Sequence, residues 1–232
     1  MLIMSKVNLI ALSKPNATTD CNTAEELVAY AARVSNPANQ SNKETAPKLL
    51  KYLINENHWS PFEMVHMTIE ITTTRDIAKQ ILRHRSFSFQ EFSQRYAKAT
   101  NFVERECRMQ DPKNRQNSIE LDQHPLYKEG DRIAEDWNMK QKDLIRRAQE
   151  TYEWALDKGI AKEQARAVLP EGNTETVLYM AGSLRSWIHY CELRMGNGTQ
   201  KEHAEIASAC WSIMGAHFPS VISALNDIII QK

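Results

Sequence analysis

Apolar and polar side chains alternate most cleanly from Met64 to Thr72, where Val65, Met67, Ile69 and Ile71 interleave with His66, Thr68, Glu70 and Thr72. A period of two predicts a strand with one buried face. The opening MLIMSKVNLIALSKP is apolar but interrupted by Lys6 and Asn8, with no small-residue cleavage site behind a continuous apolar run, and reads as a first strand. Elsewhere in the first half the spacing is helical. Thr23-Ala24-Glu25-Glu26 offers a capping box, Leu27, Val28, Ala31, Ala32 and Val34 supply an inward face behind it, and Asn36-Pro37 closes that helix. A second helix is expected from about Thr45 to Asn57-His58, with Pro47 in its first turn and Leu49, Leu50, Leu53 and Ile54 inward. Asp76 to Leu82 reads as a third, burying Ile77, Ile81 and Leu82 while presenting Gln80 and Arg83 on one face.

Met109 to Lys128 is polar, contains DPKNRQNS, and reads as an irregular surface excursion with little functional content. Gly130 to Asp157 then reads as one long charged helix with Ile133, Trp137, Leu144, Ile145, Ala148, Tyr152 and Ala155 inward, and Lys158-Gly159 as its C-cap. Short helices or turns are expected around Lys162 to Val168, Thr176 to Arg194, Lys201 to His217 and from Pro219 onward. The pattern is α+β with helices dominating the second half, and without repeats or linkers it predicts one elaborated domain over residues 1–232.

Charge narrows the function classes. With 29 basic and 29 acidic residues the net charge is zero, which argues against a surface built as a whole for nucleic acid or anionic membrane. Any anion site must be local. Cys21, Cys107, Cys191 and Cys210 are widely separated and lack zinc-ligand spacing, so the expectation is a reducing cytoplasm, no structural metal and no membrane span. His58 and His66 have no partner at metal spacing and read as structural histidines.

The local anion site has an obvious candidate in RHRSFSFQEFSQRY, residues 83–96. Arg83, Arg85 and Arg95 carry guanidinium forks suited to phosphate or carboxylate oxygens, and serine hydroxyls complete such a site. Phe87 and Phe89 alternate with Ser86, Ser88 and Gln90, as in an extended segment with one buried side. Glu91 stands ready to accept hydrogen bonds from a nucleobase, a sugar hydroxyl or an arginine. The same composition also fits a solvated charged turn in which Glu91 neutralises Arg95.

The order of residues is more specific than their composition. RHRSFSFQEFS resembles the RHRx7S signature of flavin-dependent thymidylate synthases, the ThyX family, with Arg83, His84, Arg85 and Ser93 at the required spacing. HWSPFE (His58 to Glu63), ARAVLP (Ala165 to Pro170) and SLRSWIHYCELR (Ser183 to Arg194) are similar to three further family segments and follow in family order. Ser183 and His189 stand where some members have asparagine.

The resemblance implies a helix-rich single domain around an antiparallel or mixed sheet, assembled as a homotetramer whose flavin sites are shared between subunits. It implies conversion of dUMP to dTMP, with 5,10-methylenetetrahydrofolate as carbon donor and FAD reduced by NADPH as hydride source. FAD contacts carry over onto Ser60, Arg83, His84, Arg85, Glu91, Ser183, Leu184, Arg185 and His189. Contacts to dUMP carry over onto Gln80, Ile81, Leu82, Arg83, Glu91, Phe92, Ser93, Gln94, Arg95, Arg166 and Arg194, the last matching the arginine that activates the uracil ring. No GxGxxG fingerprint is present, so a Rossmann domain is not expected despite the dinucleotides. Cys191 lies in the late helix, where packing is its expected role, and the family chemistry does not require a cysteine nucleophile.

Two rivals remain from other classes. A nucleic-acid-binding module would use the RHR cluster on phosphates and the phenylalanines on bases. A nucleotide hydrolase would use Glu63 or Glu91 as base or metal ligand, although no carboxylate cluster supports it.

Overall fold

The computed structural model describes residues 5–128, 131–196 and 198–230. In chain order it runs β1 (Lys6–Leu12), α1 (Ala24–Ala32), α2 (Ala46–Asn55), β2 (His66–Thr74), α3 (Arg75–Ile81) and β3 (Ser88–Glu91). A hairpin of β4 (Met109–Gln110) and β5 (Ser118–Ile119) follows, then α4 (Ile133–Asp157), α5 (Lys162–Ala165), β6 (Glu175–Ser183), α6 (Leu184–Arg194), α7 (Lys201–His217) and α8 (Pro219–Ile230).

An antiparallel sheet in the order β1-β2-β6-β3 organises these elements. Its spine is the β2–β6 pair, in register from His66 opposite Ser183 to Thr74 opposite Glu175. The two-residue period turns Met67, Ile69, Ile71, Leu178 and Met180 to one face, where all are buried. Val28 of α1, Leu50 of α2, Ile77 of α3, Trp187 of α6, Ile206 of α7 and Val221 of α8 join them in one apolar core. The Trp187 indole N–H is satisfied there by the Met67 carbonyl at 3.1 Å. On the opposite face Glu70 accepts from Asn8 at 3.2 Å and from the Tyr179 hydroxyl at 2.8 Å, tying three strands together. The α+β class with an antiparallel sheet follows from this arrangement.

Four sequence expectations change. Helix α1 stops at Ala32, Val34 is 68% exposed, and Ala24, Glu25, Val28 and Ala29 are buried. The cause is Glu25, whose carboxylate accepts from the Val221 amide at 2.8 Å and caps the start of α8, so the helix rotates to bury it. The capping box also shifts: Thr23 Oγ1 accepts from the Glu26 amide at 3.1 Å, while the Glu26 carboxylate reaches the amide of Asn22 at 2.6 Å.

The second change is β6. Residues 176–183 were expected in a helix or turn but form a central strand, with Thr176, Leu178, Met180 and Gly182 buried. Small side chains at Ala181, Gly182 and Ser183 blur the alternation, and the glycine is there for a steric reason. A Cβ on Gly182 would lie 2.5 Å from Cδ1 of Phe87, whose ring occupies that space from the neighbouring segment.

Third, Gly130, the expected start of the long helix, lies outside the described residues, and α4 begins at Ile133. Of its expected inward residues, Ala148, Tyr152 and Ala155 are buried, the last two in a second core with Ala99, Ala165 and Leu169. Ile133, Trp137 and Leu144 are exposed, at 38%, 42% and 52%. The first half of α4 meets the chain mainly through polar bonds, Trp137 Nε1 and Gln141 Nε2 both donating to the Arg105 carbonyl.

Fourth, the excursion from Met109 to Lys128 is built, not irregular throughout. Asp111 accepts from the amides of Lys113 and Asn114 and from Asn117 Nδ2 to close the β4–β5 turn. Glu120 and Glu106 then bond Lys201 Nζ at 3.2 and 2.7 Å, anchoring the excursion to the first residue of α7.

Candidate active site

The candidate site begins where α3 ends. Its orientation is set from below by Arg105, which bonds the Gly172 carbonyl at 2.9 Å, Asp76 at 2.6 Å, Glu202 at 3.0 Å and the Thr74 hydroxyl. Because Arg105 joins the β2–α3 junction, the loop before β6 and the start of α7, residues 80–85 emerge at a defined place beside α6 and α7. Arg105 was not singled out in the sequence, since its partners are remote in the chain.

At that place His84 meets Arg194, the last residue of α6. Arg194 Nε donates to His84 Nε2 at 2.9 Å. Burial, and then the adjacent guanidinium, lower the His84 pKa to about 4, so the imidazole is neutral at physiological pH and accepts at Nε2. His84 also sits edge-on to Tyr190, with ring centroids 4.9 Å apart. Next to it, buried His203 of α7 bonds the Tyr190 hydroxyl at 3.1 Å and Gln80 Oε1 at 3.3 Å. Gln80 Nε2 in turn donates to Gln200, immediately before α7, at 2.8 Å. Neither Gln200 nor His203 is among the residues expected from the sequence to hold flavin or nucleotide. A buried histidine at the third position of an amphipathic helix gives no sequence signal of its own.

A second group gathers where the 3-10 turn Ser60–Met64 meets the start of α6. Ser183 caps α6 by accepting from the Ser186 amide at 3.3 Å. Arg185 donates to Glu63 at 3.0 Å, and hydrogen bonds from Ser183 and then Arg185 hold the Glu63 carboxyl below the usual range. His189 packs on Trp59 with centroids 4.7 Å apart. Ser60 is exposed beside them. Leu184 and Ile81 are fully buried in the core, which keeps their side chains away from a ligand.

A third group surrounds β3. Glu91 bonds Arg75 at 3.3 Å and the Thr176 hydroxyl at 3.0 Å, while Arg95 pairs with Glu163 at 3.2 Å. The simple turn in which Glu91 neutralises Arg95 is therefore not what forms. Ser93 is half-buried, Phe92 is exposed, and Gln94 is buried with its Nε2 lacking a partner among the described residues. Arg83 and Arg85 are exposed and Arg166 half-buried, and none has a carboxylate partner among the described residues, unlike Arg75, Arg95 and Arg185. Free cations of this kind suit the phosphates of a dinucleotide or nucleotide.

Two alternatives lose their physical basis here. Phe87 and Phe89 pack against the core, Phe87 edge-on to Trp187 at 4.8 Å, which removes them as stacking platforms for bases. Glu63 and Glu91, the hydrolase candidates, are each bound to a separate arginine.

Ser60, Arg83, Arg85, Phe92 and Arg95 are exposed, so this side of the site is open to solvent. A cleft of about 260 Å³ lies nearby, bounded by Thr72, Thr74, Arg105, Glu106, Lys201 and Glu202, but it contains none of the residues expected to hold flavin or nucleotide. Its lining carries five glutamates against two cations, a net negative balance that is wrong for phosphates.

The sequence and fold match known proteins along nearly their whole length. Residues 17–220 match the family model described as thymidylate synthase complementing protein. The chain is 51% identical over 223 residues to the probable flavin-dependent thymidylate synthase of Paramecium bursaria Chlorella virus 1, covering 94% of this chain and 97% of that one. It is 53% identical over 223 residues to the flavin-dependent thymidylate synthase of Synechocystis sp., covering 95% and 99% respectively. Among solved structures, the UMP/dUMP methylase PolB from Streptomyces cacaoi bound with 5-Br dUMP aligns at a TM-score of 0.78 and 26% identity, over 96% of this chain and 95% of that one. The fold and site thus define a nucleotide-methylating enzyme. The chain belongs to the flavin-dependent thymidylate synthase family.

Proposed function

We propose that the chain catalyses reductive methylation of dUMP, consuming 5,10-methylenetetrahydrofolate, NADPH and a proton and releasing dTMP, tetrahydrofolate and NADP+. FAD, when bound and reduced, supplies the hydride that completes the methyl group. The observation that carries this reading is the Arg194–His84 pair at the junction of α3 and α6, in a chain of this family. A neutral His84 uses one N–H of Arg194 and leaves the rest of the guanidinium free to stabilise negative charge developing on the uracil ring. Arg194 is the catalytic residue in this reading.

Arg83 and Arg85 hold the flavin phosphates, with His84, Glu91, Ser60, Ser183, the Leu184 backbone, Arg185 and His189 completing the FAD contacts. dUMP is held by Gln80, by Arg83, by the backbone of Ile81 and Leu82, by Glu91 to Arg95 and by Arg166. The unpartnered amide of buried Gln94 supports this placement, because a buried donor without a partner calls for a ligand group. No protein thiol takes part. Cys191 is fully buried and burial pushes its pKa well above the ordinary range, so it stays a thiol.

The open face of the site and the exposed apolar residues Trp137, Leu144 and Trp154 on α4 support a homotetramer in which flavin sites form between subunits. The whole chain acts as one domain in this assembly. Free cysteines, and the absence among the described residues of a helix long and apolar enough to cross a membrane, are compatible with a cytoplasmic enzyme.

The test is direct. Purified protein supplied with FAD should be yellow, bleach on anaerobic addition of NADPH in the presence of dUMP, and form dTMP only when methylenetetrahydrofolate is also added. Protein that takes up no flavin, or forms no dTMP with all components present, would overturn the reading.

A further inference from the structure

The chain of side chains from Tyr190 to Gln200 has a determined direction. Among the described residues the Tyr190 hydroxyl has a single polar partner, His203 Nε2 at 3.1 Å, and both side chains are buried. If the ring donated to the phenol oxygen, the phenolic proton would be stranded in the core. Burial raises the Tyr190 pKa, so that proton is present, and it goes to Nε2. Burial, reinforced by Arg194 and His84, lowers the His203 pKa to about 3, so the ring is neutral. A neutral imidazole that accepts at Nε2 carries its hydrogen on Nδ1. That hydrogen faces Gln80 Oε1 at 3.3 Å. With its carbonyl engaged, Gln80 turns its NH2 the other way, giving one hydrogen to Gln200 Oε1 at 2.8 Å and leaving the second for a ligand.

We propose that His203 is a positioning residue for the nucleotide: with Nε2 occupied by Tyr190, its Nδ1–H fixes the Gln80 amide so that an N–H, and not the carbonyl, is presented to an acceptor oxygen of dUMP. This rests on the assignment of Gln80 to the dUMP site above. The array also packs against the activating pair, the His203 and His84 ring centroids lying 6.2 Å apart. A glutamine free to rotate would present donor and acceptor in turn, and half of its orientations would oppose the nucleotide oxygen.

The tautomer is read first, by long-range ¹H–¹⁵N correlation of the histidine-labelled, flavin-loaded wild-type protein, which needs no variant and no turnover. His203 should appear as the Nδ1–H form and lose that preference in Tyr190→Phe. dUMP affinity is read next, by calorimetry. Tyr190→Phe and His203→Leu should each weaken dUMP about tenfold with the flavin spectrum unchanged, whereas His203→Asn, which keeps a donor near the Nδ1 position, should stay within about threefold of wild type. An Nε2–H tautomer in the wild type, or wild-type dUMP affinity in folded, flavin-loaded Tyr190→Phe, would overturn the proposal. Wild-type protein that binds dUMP with the expected dependence on His203 but forms no dTMP would overturn the catalytic reading alone.

Discussion

Arg194 donates its Nε–H to His84 Nε2 at 2.9 Å, so each residue sets the state of the other. Burial first, and the adjacent cation second, keep the imidazole neutral, and the neutral ring orients the cation without neutralising its charge. An aspartate in place of His84 would orient Arg194 equally well but would cancel the positive potential that the uracil ring requires.

Replacing Arg194 by alanine should leave flavin binding intact, as judged by the visible spectrum, and lower kcat/KM for dUMP by roughly 10²- to 10³-fold. The His84 pKa should rise above 4 by NMR titration yet stay below 6.5, because burial, the larger cause of its shift, remains. Turnover near that of wild type would reject Arg194 as the activating group.

Stability should fall with acid well before the carboxylates titrate. An unfolded chain takes up a proton on each histidine as pH drops through 6.5, whereas folded His84 and His203 resist until about 4 and about 3. The unfolded state therefore binds more protons in that window, and each such histidine costs up to about 1.4 kcal/mol per pH unit, with solvent screening reducing the share of half-exposed His84. Urea midpoints should decrease from pH 6.5 to 5, with a shallower slope in His203→Asn. A flat profile in the wild type would contradict the buried neutral rings.

Gly182→Ala should destabilise the protein by about 1–3 kcal/mol, since its Cβ and the Phe87 ring cannot share one space. Phe87→Leu in the same chain should recover part of the loss, giving a favourable coupling in a double-mutant cycle of urea midpoints. Additive losses would show that the ring moves aside freely.

Cys191→Ala should keep turnover within about twofold while lowering stability by roughly 1 kcal/mol, the effect of a small deletion in a packed core. Loss of turnover in a folded, flavin-loaded variant would make the thiol a participant.

Arg105→Met should cost about 3 kcal/mol or more, because Asp76 and Glu202 lose the cation they share. It should also weaken dUMP binding through the displaced end of α3. Calorimetric dUMP titration of the folded variant checks this, and unchanged affinity would confine Arg105 to stability.

Local pattern made much of the fold legible. The proline position and periods of β2, α2 and α3 are properties of a few adjacent residues, and the structure repeats them with shifts of one to three residues at their ends, while β1 runs from Lys6 to Leu12 and residues 1–4 of the expected first strand lie outside the described residues. Where the pattern misled, a distant partner was responsible: Glu25 turns α1 inward for the sake of α8, and Phe87 demands a glycine in β6 that weakens its strand signal. The exposed half of α4 shows the converse, an apolar stripe that this chain alone does not cover.

By itself the sequence determined the helical and β periods, the absence of net charge and the ordered run from Arg83 to Tyr96, because each is written in neighbouring residues. Only the tertiary structure decided that Arg194 would meet His84 across 110 residues, that Arg105 would lock α3, and that His203 would stand between Tyr190 and Gln80. Those contacts depend on sheet register and helix packing, which bring together residues far apart in the chain, and on burial, which sets protonation states that composition does not reveal.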